Sequence, residues 1–202
     1  MDFQVDTVQD MWRTGDIPQE LGCTILFLIR KGTTNTRDIG LLVTLWKVAE
    51  SLTDTRQCVS LQLHGVLYRF RARRGTGTAI MDLNLAQELS RVDCDLLFMV
   101  FLELSKAYDT VDRYCLIQTL ERYGVVPLMC GLLENFWSHQ KMMPKQNCYH
   151  GLAFPYTQGM TQGGLTSLTL FKVVMENFIQ KWLVMTVEDQ RVAHDGMLEA
   201  VG

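Results

Sequence analysis

The apolar positions along this chain fall into runs and stripes that mark out most of its elements. Residues 1–14 predict a helix, and Gly15 to Pro18 a loop. Cys23 to Ile29 is a continuous run rich in β-formers and predicts a strand, with a polar turn after it from Lys31 to Asn35. Ile39 to Leu45 is short and apolar, and Leu45 to Cys58 has helical spacing. Ala79, Leu83, Ala86 and Leu89 recur every three or four positions, which predicts a helix from Thr78 to Leu89 behind Gly75 and Gly77. Leu96 to Leu102 is a second continuous run, predicted as a buried strand behind Asp93 and Asp95. Asp109 has the character of an N-cap, with Asp112 three positions on, for a helix that runs to Tyr123 and stops at Gly124. Pro127 opens another helix carrying Leu128, Leu132, Leu133 and Phe136. Lys141 to Tyr156 has strand-and-turn character. Gly163-Gly164 precede the last clear helix, whose stripe is Leu168, Phe171, Met175, Phe178 and Trp182, and beyond Thr186 the pattern fades. Strands and helices out of strict alternation predict an α+β fold.

Composition narrows the class. At 202 residues, 48% hydrophobic and 20% charged, the chain has the balance of a globular domain that can bury a core. Its apolar runs are too short to span a bilayer, so no membrane partner is expected. Met1-Asp2-Phe3-Gln4 opens with no basic region and no apolar stretch behind it, unlike a secretory signal. The six cysteines form no C-x-x-C pair, and the four histidines gather into no cluster with them. Reduced, buried thiols in an intracellular protein, cytoplasmic or nuclear, are therefore expected. The net charge is −3, whereas nucleic-acid enzymes usually carry a basic surface. Locally, however, Arg69, Arg71, Arg73 and Arg74 cluster, with no acid between Arg56 and Asp82. By composition that cluster is either a solvated face or a nucleic-acid contact. The end of the chain leans acidic, with Glu188, Asp189, Asp195 and Glu199 against Arg191.

The chemistry concentrates at the end of the second apolar run. Phe101-Leu102-Glu103-Leu104-Ser105-Lys106-Ala107-Tyr108-Asp109 places one carboxylate at the strand end and another six positions later, with an aromatic just before it. This stretch resembles the first catalytic motif of reverse transcriptases, most closely those of non-LTR retrotransposons, with Glu103 where the family has aspartate. Gly159-Met160-Thr161-Gln162-Gly163-Gly164-Leu165-Thr166-Ser167-Leu168 is similar to the family's G-V-x-Q-G-D/S-P-x-S-P, with leucine at both proline positions and Gly164 in place of the acid or serine. Leu28 to Gly32 and Arg37 to Leu41 resemble I-P-K-x-G…Y-R-P-I-S-L, again with the prolines altered, to Arg30 and Asp38. Tyr68 to Thr76 resembles the G-F-R-x-x-R-S/G-T block. The four blocks stand in the family's order.

The resemblance implies an RNA-directed DNA polymerase lineage: nucleotidyl transfer to a primer 3′-OH, with RNA template and DNA primer as partners. Mg²⁺ or Mn²⁺ would be the cofactor, two cations about 3.5–4 Å apart. By the same resemblance Glu103 is the catalytic and metal-binding acid. Lys31 and Arg37 reach the triphosphate as cations matched to phosphoryl oxygens. Tyr108 lies under the sugar, Gln162 and Gly163 meet the incoming nucleotide, Ser167 caps the following helix, and Arg69, Arg71, Arg73 and Arg74 lie along the template. Asp109 is more a helix cap than a ligand.

The implied architecture is a partial right-hand polymerase, fingers plus the front part of the palm, with no thumb. Residues 1–92 form the fingers-like region. Residues 93–182 form a partial palm with a fingers hairpin interleaved near 141–157, and 183–202 an acidic, poorly ordered tail. The family's aromatic-Ala-Asp-Asp hairpin, which supplies the other metal-binding acids, has no counterpart: Glu188-Asp189 follows Val187, outside any apolar strand pattern. One carboxylate cannot hold two cations against their hydration, and Glu103 is a methylene longer than aspartate. The expectation is a truncated segment with little or no polymerase activity alone. Its alternatives are a non-catalytic nucleic-acid-binding remnant and a decayed product without function. Without that hairpin the strand at 96–102 keeps an open edge, which predicts marginal stability and self-association. A sharp melting transition independent of concentration would contradict this.

Overall fold

The computed structural model describes residues 2–31, 35–60, 67, 68, 73–94 and 96–201. Six α-helices and five strands occur among the described residues. Helix α1 spans Asp2–Thr14, and a 3₁₀ turn at Gln19–Gly22 leads into β1, Cys23–Lys31. Strand β2 is Asn35–Leu41, followed by α2, Thr44–Ser60, and α3, Thr76–Asp93. Then come α4, Arg113–Arg122, and α5, Pro127–His139. Strands β3 (Lys141–Gln146), β4 (Tyr149–His150) and β5 (Phe154–Pro155) precede α6, Thr166–Val201.

The sheet is mixed. Its order is β2-β1-β3-β4, with β5 also on β3. β1 and β2 form an antiparallel ladder from Ile25 opposite Leu41 to Lys31 opposite Asn35. β3 lies parallel to β1, Cys23 opposite Lys141. A parallel pair needs a long crossover, and here α2 to α5 lie between the two strands in the chain. The segment from Lys141 onward thus joins the N-terminal sheet although it follows α5.

Two apolar cores meet at α5. Met129, Cys130 and Leu133 face one core, with Leu116, Leu120, Met160, Leu170 and Val173. Leu132 and Phe136 face the other, with Met11, Leu21, Leu42 and Trp46. Trp46 and Phe136 stack with ring centroids 4.0 Å apart. Pro127 at the first helical position, with φ already preset, starts α5 as its sequence implies. Among the described residues no helix is long and apolar enough to cross a membrane.

Several expectations are corrected. The run Leu96 to Leu102 is not a buried strand: its residues have no strand partner among those described, and Leu96, Phe98 and Phe101 are 87%, 85% and 78% exposed. A continuous apolar run signals the wish to be covered on both faces, but it cannot supply the neighbouring backbone that a strand must pair with. Helix α3 forms, yet none of its residues is buried. Asp109 is not the N-cap of α4. That role belongs to Asp112, whose side chain accepts the Cys115 N–H at 2.9 Å.

The apolar stripe read for α6 faces the core only in part, through Phe171. The buried face is Thr166, Thr169, Leu170, Val173 and Glu176, whereas Leu168, Phe178 and Trp182 are exposed. The helix packs against both α2 and α4, and those contacts set its rotation. Its later residues turn to the unpaired run: Phe178 and Trp182, with Leu183 beside them, line a cleft of about 460 Å³ with Phe98, Val100 and Leu102. The α6 backbone stays helical to Val201, past the point where the apolar pattern fades. Of the described cysteine side chains only Cys130 is buried; Cys94, Cys115 and Cys148 are exposed free thiols.

Candidate functional site

The chain from Lys106 to Val111 and the glutamine turn from Gly159 to Gly164 are joined through their backbones. The Met160 N–H donates to the Tyr108 carbonyl at 2.9 Å, and the Gly159 N–H to the Val111 carbonyl at 3.0 Å. The approach at Gly159 is so close that a Cβ there would lie 2.6 Å from the Asp109 carbonyl oxygen. On its other side the turn meets β2. The Gly40 N–H donates to the Gln162 carbonyl at 2.8 Å. Gly163 has φ +126°, and a Cβ on it would lie 2.3 Å from the Gly40 carbonyl oxygen. The two segments read from sequence as a catalytic motif and a nucleotide-contacting turn are therefore neighbours, with the β1–β2 hairpin against the second of them.

Side chains brace this junction from behind. Arg113, the first residue of α4, donates from Nε to the Gly159 carbonyl at 2.8 Å. Its Nη1 donates to the Tyr156 carbonyl at 2.8 Å and its Nη2 to Gln140 Oε1 at 2.7 Å. The guanidinium carbon also lies 5.2 Å from the Trp137 ring centre and 5.0 Å from that of Tyr156. Burial lowers the Arg113 pKa to about 10, which still leaves a cation at neutral pH. Gln140 passes the link on, donating from Nε2 to Thr161 Oγ1 at 2.6 Å. Glu50 reaches the turn from α2: it accepts the Leu165 N–H at 3.0 Å and the Thr166 hydroxyl at 2.9 Å. Burial raises its pKa, opposed by those same two hydrogen bonds.

A cavity of about 270 Å³ opens between these parts, lined by Asp38, Lys106, Asp109, Tyr156, Thr161 and Gln162 among others. Burial raises the Asp109 pKa, and the Asp38 carboxylate raises it further. The Tyr156 hydroxyl, which donates to Asp109 at 3.4 Å, is pushed up to about 12, mainly by burial and then by the Asp109 charge. Glu103 is exposed and lines a different cavity, of about 370 Å³, with Asp112, Thr119, Phe171 and Asn177. The Tyr108 ring stacks on Phe171 of α6, centroids 4.6 Å apart, against the core.

The basic residues are spread more widely. Arg37 is exposed and pairs with Ile29 in the ladder; strand alternation sends its side chain to the face opposite that of Asp38. Lys31 ends the ladder opposite Asn35, and its side chain lies outside the described residues. Arg73 and Arg74 are exposed just before α3, and the Arg74 guanidinium lies 5.3 Å from the Tyr68 ring centre. Tyr68 in turn hydrogen-bonds Asp82 of α3. Arg69 and Arg71 lie outside the described residues.

Glu50, Arg113 and Gln140 were not flagged by sequence. Glu50 carried one local signal, an acid on the helix face that also holds Trp46, Ala49 and Thr53, all buried. Arg113 carried none, because its partners lie 24 to 46 residues away in the chain. The carboxylates present do not fit a two-cation centre. Glu103 and Asp112 are the acids of their cavity, and among the described residues no group of three or more His, Cys, Asp or Glu converges on a point. Magnesium asks for near-octahedral oxygen ligands at about 2.0–2.1 Å, and this donor set is too sparse for a pair of such ions.

Residues 29–193 match the model of the family described as reverse transcriptase (RNA-dependent DNA polymerase). The chain is also 25% identical over 184 residues to the transposon TX1 uncharacterized 149 kDa protein of Xenopus laevis. That match covers 84% of this chain and 14% of the length of the Xenopus protein.

Proposed function

This chain belongs to the reverse transcriptase (RNA-dependent DNA polymerase) family, and from that premise we propose that it forms the fingers and front palm of a non-LTR retrotransposon polymerase. The observation that carries the reading is the backbone junction of Tyr108 with Met160 and of Gln162 with Gly40. It joins the backbones of the first motif, the glutamine turn and the β1–β2 hairpin, and that adjacency supports a nucleotide-binding reading. Residues 1–92 act as fingers, joined by the hairpin near 141–157, and residues 93–182 as the front of the palm. Gln162 and Gly163 present the turn to an incoming nucleotide, Tyr108 to its sugar, and Lys31 and Arg37 to its phosphates. Arg69, Arg71, Arg73 and Arg74 follow the template strand, inside the cell in cytoplasm or nucleus.

Catalysis is a separate matter. Glu103 occupies the position of the metal-binding acid but stands on an unpaired, exposed segment. Misplacement of a reacting group by about 1 Å can cost about 10²-fold in rate, and missing ligands cost more. The chain alone is therefore inactive, and transfer needs further carboxylates delivered by another polypeptide segment. Primer extension on an RNA template with Mg²⁺ or Mn²⁺ tests this: no product is expected, and extension that Glu103→Ala abolishes would overturn it. The second reading, a non-catalytic nucleic-acid binder, is favoured by the exposure of Arg73 and Arg74. RNA affinity that falls with added salt, with a slope reduced by about 1 for each arginine changed to alanine, is its expected mark. A slope indifferent to those changes rules it out.

A further inference from the structure

Glu50 is 4% exposed in the middle of α2. A carboxylate so placed loses its water and is kept only where donors replace it. Two of its donors come from one place. The Leu165 N–H and the Thr166 hydroxyl are the last link of the glutamine turn and the first residue of α6. The first N–H groups of a helix have no partner within it, and a negative charge there is favourable. The pattern this chain resembles has proline at the position of Leu165, which would offer no N–H. Here the leucine N–H exists, and Glu50 accepts it. Gly164 completes the fit: a Cβ on it would lie 2.7 Å from Ser167 Oγ and 3.0 Å from Glu50 Oε1.

The turn is thus held along its whole length, with Arg113 and Gln140 at Gly159 and Thr161. Gly40 holds the Gln162 carbonyl and Tyr108 holds the Met160 N–H, both through backbone. At the end that enters α6 the hold is Glu50, a side chain 115 residues away in sequence. We propose that Glu50 is a positioning residue for the Gln162–Gly163 turn, fixing the entry to α6 and through it the distance of Gln162 from β2. The proposal deepens the nucleotide-binding reading of that turn and rests on it for its functional consequence. Glutamine can stand in for Glu50, because its amide oxygen accepts from Leu165 while its nitrogen donates to Thr166 Oγ1. Alanine cannot, and aspartate keeps the charge but falls a methylene short.

The test compares the full chain with its Glu50→Gln, Glu50→Asp and Glu50→Ala variants by amide hydrogen exchange and by binding of a fluorescent deoxynucleoside triphosphate with Mg²⁺. In the alanine and aspartate variants exchange from Gln162 to Thr166 should quicken about tenfold or more while α4 keeps its protection. Nucleotide affinity should fall by a similar factor. The glutamine variant should stay close to wild type in both. Unchanged exchange at the turn, or exchange that quickens equally through α4 and α5 in the aspartate variant, overturns the proposal. A wild-type chain that binds no nucleotide, yet shows the local exchange pattern, leaves Glu50 its positioning role and removes the nucleotide reading instead.

Discussion

Arg113→Ala should lower the unfolding free energy by about 3–5 kcal/mol, the largest loss expected from any single side chain of the site. The guanidinium satisfies the carbonyls of Gly159 and Tyr156 and the Gln140 amide oxygen at once, at 2.7 to 2.8 Å. Truncation leaves these acceptors without their charged donor, and hydrogen bonds to a charged group contribute about 1.5–3 kcal/mol each. It also strips the cation from between the Trp137 and Tyr156 rings. For a domain of this size the melting temperature should drop by about 6–20 °C. Arg113→Lys should recover part of this, since one ammonium cannot reproduce the planar fork that reaches three acceptors in different directions. Thermal and urea unfolding of the three proteins measures the series. A change below about 1 kcal/mol for the alanine variant would mean that the network is not the brace described here.

Gly163→Ala is the second large effect, and its cause is backbone. At φ +126° an L-residue is strained by about 1–3 kcal/mol. The new methyl would also meet the Gly40 carbonyl oxygen at 2.3 Å, and no rotamer can relieve that contact. Either β2 moves off the turn, breaking the Gly40–Gln162 hydrogen bond, or the turn itself reshapes. A total loss of about 3 kcal/mol is expected, with faster exchange of the Gly40 amide while α4 keeps its protection. A variant within about 0.5 kcal/mol of wild type would show that the turn adopts another conformation in solution. The two substitutions act on opposite sides of the Gln162 turn. They should add only in part, because Arg113 reaches the turn through Gln140 and Thr161 as well as through Gly159.

Much of the fold was legible because it is local. The β1 run, the spacing of α2, the Pro127 start of α5 and the Gly124 stop of α4 depend on residues within a few positions of one another. The four motif blocks were legible for a related reason: each is a short segment with its own turn or strand chemistry. The Asp109 cap was misplaced by three residues, since either aspartate could cap a helix and only the path of the chain chooses Asp112. The α6 stripe shows a deeper limit. Its periodicity is real, but it marks an apolar face without saying what that face meets.

The chain's own sequence determined where most of the helices and the β1 strand form and which family of motifs the chain carries, because backbone preference and hydrophobic period are written within windows of a few residues. Only the tertiary structure decided which apolar faces are covered, that Leu96 to Leu102 stands open beside Trp182, and that Glu50 and Arg113 hold the Gln162 turn. Those outcomes depend on donors and acceptors dozens of residues apart meeting within about 3 Å, and no local pattern encodes that meeting.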